Sequence, residues 1–350
     1  MSARASPGDR FHDVTPVVSV ILPVRNARSW LRQAVDSILS QTFERLELLV
    51  VDDHSDDGSI GQLPGDDPRL RVLRNPGRGV SSAFNVGFAQ SRGEFIARMD
   101  ADDIALPERL ETQLHYLRTY SDIDICGACV EIFVDDGADG AAPAGGNRRY
   151  QAWLNACRSP EAIRRELFIE SPIPNPTALF RRDALQQLGA YGDPDWPEDY
   201  DLFLRADRSG MRMGKPDGVL LRWREHGQRL TRQNPRYEWA RFQAAKAHHL
   251  ARGRLATLSS VVIWGAGPSG RLMHDLLSAE GMAVSAFLDV HPRRVGGEKR
   301  GVPVWSVDRV GELEAHFILV AVGAAGARAR IRDFLAERGR EEGRDYLFVA

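Results

Sequence analysis

The sequence predicts an α/β protein in which mostly parallel sheets carry helices on both faces, followed by a second, smaller α/β unit. Three observations carry that expectation. Short β-branched apolar runs alternate with helix-length amphipathic stretches, the signature of βαβ units. The runs end in acidic or polar residues, as strands do where a parallel sheet meets its ligand crevice. The alternation then restarts near residue 259 with its own apolar strands, and 350 residues suit about two domains.

The elements justify this in order. VVSVIL, closed by Pro23, reads as a buried parallel strand, and a helical pattern follows over residues 27–40. LELLVV is a second strand ending in Asp52 and Asp53, RLRVL a third, residues 80–90 a helix, and EFIARM a fourth strand running into Asp100, Asp102 and Asp103. The stretch from Asp135 to Gly146 is small, polar and aperiodic, a loop pattern. A strand TALFRR and a helix EDYDLFLRADRSG lead to RWREHGQRLT, and a polar helix over about 236–252 looks like a connector. The expected organisation is a polar, disordered tail over 1–15, a first domain over 16–235, a helical connector over 236–258 and a second domain over 259–350.

Composition narrows the function. With 43% hydrophobic residues, 27% charged residues and a net charge of −2, the chain offers no electrostatic attraction for nucleic acid. No apolar run approaches the ~20 residues that span a bilayer, and the first residues lack the apolar core of a signal peptide, so a cytoplasmic protein is expected. Cys126 and Cys129 form a lone C-x-x-C inside an apparent strand, where positions three apart face opposite sides, so both are read as small buried residues.

Packed carboxylates repel one another, so Asp100, Asp102 and Asp103 require compensation by a metal ion, an arginine or solvent. Two carboxylates one residue apart on a strand-end loop suit a divalent ion shared with a diphosphate. They equally suit the N-terminus of a following helix.

The ordered set resolves more than any one motif. Pro23-Val-Arg-Asn26, Asp52-Asp-His-Ser55 with Asp57-Gly58, GVSSAFNVG, Met99-Asp-Ala-Asp-Asp103, the segment from Pro172 to Ala206 with its Glu198-Asp199 pair, and RWREHGQRLT together resemble the inverting family 2 glycosyltransferases of GT-A fold over about residues 17–231. The resemblance implies a nucleotide-sugar donor, UDP-sugar favoured, and an acceptor hydroxyl on a saccharide or lipid-linked glycoconjugate. It also implies work in surface-polysaccharide assembly, with the cytoplasmic face of the membrane and peripheral association among the settings. Asp52 or Asp53 would contact the base, with Pro23, Arg25 and Asn26 beside it. Asp100 would lie near the ribose, and Asp102 would hold Mn²⁺ or Mg²⁺, with His226 completing the contacts and Arg224 close by. Asp199 would be the general base, with Glu198 as the other candidate. Where the family often has arginine before Asn85 this chain has Phe84, so the resemblance implies that this donor contact is either lost or supplied by Arg78.

In the second domain Gly265-x-Gly267-x-x-Gly270 follows a strand and opens a helix, and Asp289 ends the next strand. This is the dinucleotide fingerprint, resembling Rossmann-like half-domains: glycines let a pyrophosphate approach, and the acid can bind a ribose hydroxyl. A dinucleotide or nucleotide there is one expectation, and a module for docking, regulation or homo-oligomerisation is the other. Two alternatives to transfer remain at this level: an NAD-dependent sugar oxidoreductase or epimerase centred on that fingerprint, and a non-catalytic nucleotide-sugar-binding protein.

Overall fold

The computed structural model describes residues 15–134, 145–313 and 315–350. The expected N-terminal tail and the loop from Asp135 lie outside the described residues, except that Thr15 is described and that Gly145 and Gly146 open a helix. Along the chain run β1 (Val18–Val24), α1 (Trp30–Leu39), β2 (Leu46–Asp52), β3 (Leu70–Arg74), α2 (Val80–Gln90), β4 (Phe95–Arg98), β5 (Ile104–Ala105), α3 (Arg109–Thr119), β6 (Ile125–Cys126), β7 (Cys129–Val134), α4 (Gly145–Ala156), α5 (Pro160–Glu166), β8 (Leu179–Arg181) and α6 (Arg182–Gln187). There follow α7 (Glu198–Arg208), β9 (Met213–Gly214), β10 (Val219–Glu225), α8 (Leu230–Gln233), α9 (Trp239–Ala251), β11 (Ser260–Trp264), α10 (Pro268–Ala279), β12 (Ala283–Asp289), β13 (Glu298–Lys299), β14 (Val302–Ser306), β15 (Phe317–Val320), α11 (Ala327–Ala336) and β16 (Tyr346–Phe348).

The chain forms two compact units, and they are interleaved. The first comprises residues up to Pro160, Ile173–Asp193 and Met211–Arg229; the second comprises Glu161–Pro172, Pro194–Gly210 and Leu230–Ala350.

The first unit holds a seven-stranded sheet in the order β3-β2-β1-β4-β8-β6-β9 and a small sheet β5-β10-β7. β1, β2, β3 and β4 are parallel, while β8 runs antiparallel to β4 and β6, so the sheet is mixed. All seven residues of β1 are buried, as a central strand covered on both faces demands. α1 buries Leu31, Ala34, Val35 and Ile38, the i, i+3, i+4, i+7 stripe of an amphipathic helix, into the core of β1 and β2. α2 sits close to the sheet because Gly87 leaves room: a Cβ there would stand 2.6 Å from the Ile21 side chain and 3.1 Å from Val51. The apparent strand around Cys126 is instead two, β6 and β7, broken at Gly127 and Ala128. All three cysteines are buried, and burial pushes the Cys126 thiol up to about 12, which makes it inert.

The second unit holds a sheet in the order β13-β14-β12-β11-β15-β16, parallel except for the β13–β14 pair. With β11 central and the order reversing between β11 and β15, this is a doubly wound arrangement. The helix read from sequence as a connector, α9, buries Ala245, Lys246, His249 and Leu250 and packs on α7 and α10. Among the described residues no helix is long and apolar enough to cross a membrane.

Candidate functional site

The parallel register brings three strand ends to one edge. Val24 lies beside Asp52, and Ile21 beside Arg98, so the turns after β1, β2 and β4 emerge together. The first two turns are tied to each other. The Asn26 amide, in left-handed backbone at φ 55°, donates to Ser55 Oγ at 3.1 Å, and Asn26 Oδ1 accepts from Asp56 at 2.9 Å. Pro23 pairs with Val51 within the sheet, and Arg25 is exposed beside this turn.

Asp52 and Asp53 have different work. Asp53 is buried, and its two oxygens accept from Asn75 Nδ2 at 2.7 Å and the Gly79 amide at 2.9 Å. Asp52 is half-buried and uses Oδ1 on the Ser55 amide at 2.9 Å. Asn85 is a latch: its amide donates to the Tyr191 carbonyl at 2.8 Å and accepts from the Tyr191 amide at 3.1 Å. Arg78 is exposed.

The acid cluster follows β4. Among the described residues, Asp100, Asp102 and Asp103 offer carboxylate oxygens within 4.8 Å of one another. Each has its own compensation. Arg98, almost fully buried in β4, donates to Asp100 Oδ1 through Nε at 2.8 Å and Nη2 at 2.7 Å. His226 Nε2 lies 2.8 Å from Asp102 Oδ2. The Arg224 amide donates to Asp103 Oδ1 at 2.8 Å, while its guanidinium donates to the Asp102 carbonyl at 2.6 Å and to Gln33 at 2.6 Å. The Trp30 and His226 rings lie against each other at a 42° tilt with centroids 4.2 Å apart, and Arg224 lies over the Trp30 ring. Beneath the cluster Arg109 is completely buried, donating to the Arg98 carbonyl at 2.7 Å; burial pulls its guanidinium down to about 10 against the pull of Asp103 and Asp100.

Asp103 is incompletely matched. Its Oδ2 is buried and takes no hydrogen bond, and burial, followed by the charges of Asp102 and Asp100, pushes its carboxyl well above the usual range. An oxygen-only donor set with one orphaned buried oxygen fits a hard divalent cation, so the residues present suit Mg²⁺ or Mn²⁺.

The second unit carries the other acidic pair. Glu198 opens α7 and is 3% exposed, with the Tyr237 hydroxyl 2.9 and 2.7 Å from its two oxygens. Asp199 is half-buried and accepts the Tyr200 amide at 2.7 Å. Asp201 accepts from Trp196 at 2.9 Å and Arg205 at 2.7 Å, with His249 Nε2 at 3.0 Å. Farther on, Gly265 at φ 114° makes the expected turn, and a Cβ at Gly270 would collide with the Gly265 carbonyl at 1.7 Å. Only Arg294, at 3.8 Å, approaches a Cβ at Gly267. Asp289 binds inward: it accepts the Ala266 amide at 2.9 Å, the His291 amide at 2.8 Å and Arg294 Nη1 at 3.0 Å.

Sequence reasoning missed Arg98, Arg109, Trp30 and Tyr237, none of which belongs to a short motif. Arg98 alone left a signal, a charge inside an otherwise apolar strand.

Known proteins give this architecture its context. The sequence model of Glycosyl transferase family 2 matches residues 19–189. An uncharacterized glycosyltransferase of Haemophilus influenzae is 31% identical over 220 residues, which is 61% of this chain and 66% of that protein. An uncharacterized glycosyltransferase of Rickettsia prowazekii is 28% identical over 199 residues, 55% of this chain and 59% of that one. The matches thus span less than two thirds of either relative. Among solved structures, S. aureus TarS 1–349 in complex with UDP-GlcNAc shares the fold at TM-score 0.54 and 18% identity, over 74% of this chain and 71% of that one. Residues 19–189, which hold the strand ends carrying Asp52, Asp53 and the cluster of Asp100, Asp102 and Asp103, thus match the model of glycosyl transferase family 2.

Proposed function

We propose that this protein transfers a sugar from a nucleotide-diphosphate sugar to an acceptor hydroxyl with inversion at the anomeric carbon. The observation that carries the reading is the strand-end carboxylate cluster with the orphaned oxygen of Asp103. Asp102 and Asp103 would hold a divalent cation, with Asp100 and His226 at its margin. Bound there, that cation supplies Lewis-acid stabilisation of the charge on the departing diphosphate, worth several kcal/mol. Asp52, with its half-exposed carboxylate, is the better candidate of its pair for the nucleotide, because both oxygens of Asp53 serve the fold.

Asp199 is assigned the proton. As the acceptor oxygen forms its bond to the anomeric carbon, the hydroxyl proton passes to the Asp199 carboxylate and the bond to the diphosphate oxygen breaks with its electron pair. Such base catalysis contributes ~10²–10⁴-fold. A UDP-sugar is the favoured donor, since the TarS structure that shares this fold holds UDP-GlcNAc. The acceptor belongs to the saccharides and glycoconjugates of surface-polysaccharide assembly. An oxidoreductase reading centred on the second unit gains nothing from Asp289, whose oxygens serve the loop around Ala266 and Arg294.

Thermal unfolding in UDP and Mn²⁺ tests the site. A hundredfold excess of ligand over Kd stabilises by about 2.7 kcal/mol, which is a shift of several degrees at most. The Mn²⁺-dependent part of that shift should vanish in Asp102→Ala. A variant that keeps it would overturn the assignment.

A further inference from the structure

The geometry points to Tyr237 and Glu198 as a positioning pair that holds the first turn of α7, and with it Asp199, in the orientation the proton transfer needs. The inference rests on the transferase reading above and assigns Glu198 a different role from that of base.

Glu198 is poorly placed to collect a proton from an acceptor. It is 3% exposed, its two oxygens lie 2.7 and 2.9 Å from one phenolic hydroxyl, and the Arg236 guanidinium stands 3.8 Å away. Burial, then the charges of Glu198 and Asp199, pushes the Tyr237 hydroxyl well above its ordinary range, so it stays protonated and remains a donor. Asp201, two residues beyond Asp199, is gripped by Trp196, Arg205 and His249. Asp199 therefore stands between two fastened neighbours at a helix start, while itself remaining half-buried.

The donor comes from an otherwise exposed stretch. Tyr237 ends a short 3-10 turn, Pro235–Tyr237, capped by Asn234 Oδ1 accepting from the Arg236 amide at 2.9 Å. On either side of it Leu230 and Trp239 are 47% and 54% exposed. This segment has little apolar reason to lie where it does, and its hydrogen bond to Glu198 supplies one. A catalytic group must be held to within about 0.5 Å by neighbours that are themselves fixed, and a displacement of about 1 Å can cost a hundredfold.

The roles separate by chemistry. A base requires a carboxylate, whereas a positioning partner requires only an acceptor for the tyrosine hydroxyl, which glutamine also offers. The assay uses the full chain with Mn²⁺ and UDP-GlcNAc as probe, reading UDP release, alongside hydrogen exchange of the α7 amides. Tyr237→Phe and Glu198→Ala should each lower kcat on the order of tenfold with donor KM unchanged. The double variant should be no worse than either. Glu198→Gln should recover most of kcat, and exchange at the first turn of α7 should quicken in Tyr237→Phe but not in Glu198→Gln. If Glu198→Gln is as inactive as Asp199→Asn, Glu198 is itself the base and the pair is refuted. If Tyr237→Phe matches the parent in kcat and exchange, the pair is refuted while the transferase reading stands. If the parent releases no UDP from any nucleotide sugar, the transferase reading fails and takes the purpose of the pair with it.

Discussion

At the residue scale the chemistry divides among acids that look alike in sequence and differ in what already binds them. Asp53, Glu198, Asp201 and Asp289 are committed to hydrogen bonds inside the protein; Asp52 and Asp199 retain exposure, and Asp103 retains an unpaired oxygen. Asp199→Asn keeps the shape and the contact to the Tyr200 amide but cannot take a proton. Turnover should therefore fall by about two to four decades with UDP binding retained, as measured by UDP release and thermal shift. Near-parent turnover in that variant would remove Asp199 from the mechanism. The acidic motifs were legible in sequence because they end strands. Their division of labour was not, because it depends on Asn75, Gly79 and Tyr237, partners at sequence distances of 22 to 39 residues.

At the element scale the buried glutamate of β2 shows what fastens the sheet. Glu47 is 1% exposed, yet Ser19 of β1 donates to it at 2.7 Å and the Arg92 amide and Nε donate at 2.7 and 3.0 Å. Burial pushes its carboxyl up, but those hydrogen bonds and the Arg92 charge more than offset this, leaving it below the ordinary range. The sign follows directly. A depressed folded-state pKa contributes stability that is present above the ordinary glutamate value of about 4.3 and is lost as the pH falls through the folded-state value. Glu47→Gln should lower stability by about 1–3 kcal/mol near pH 7 in urea titrations, and the deficit should shrink below about pH 4. A deficit independent of pH would mean that shape, not charge, is what Glu47 provides. The helices α1, α2, α7, α9 and α10 were readable from their length and periodicity, and the strands β1, β2, β4, β11 and β12 from their apolar runs, whereas α4, α5 and α8 were not read. β14 and β16 escaped notice: VPVWS carries a proline and half-exposed positions, and YLF is only three residues long. The break between β6 and β7 was equally hidden, since it is set by contact: a Cβ at Gly127 would meet the Ile173 side chain at 2.9 Å.

At the scale of the whole molecule, the two compact units alternate along the sequence, and α7 groups with the C-terminal sheet. Within that unit Glu166 lies 3.6 Å from both Arg328 and Arg332, Ile169 packs on the β11–β15 core, and Lys246 Nζ donates to the Val349 carbonyl at 3.1 Å. A chain ended at Arg252 should therefore keep its Mn²⁺-dependent thermal shift with UDP yet lose turnover, as its second unit loses that sheet. Full turnover in the shortened chain would show that the C-terminal sheet is dispensable. The interleaving also sets a schedule for synthesis. By the time residue 229 has been added, every strand of the seven-stranded sheet exists. The partners of α5 at Arg328 and Arg332, and of Lys246 at Val349, are still to be made. At about 5–20 residues per second, the stretch from residue 229 to Val349 takes roughly 6–24 s. On the transferase reading proposed above, a nascent chain in that interval should be able to hold a nucleotide before it can act on one.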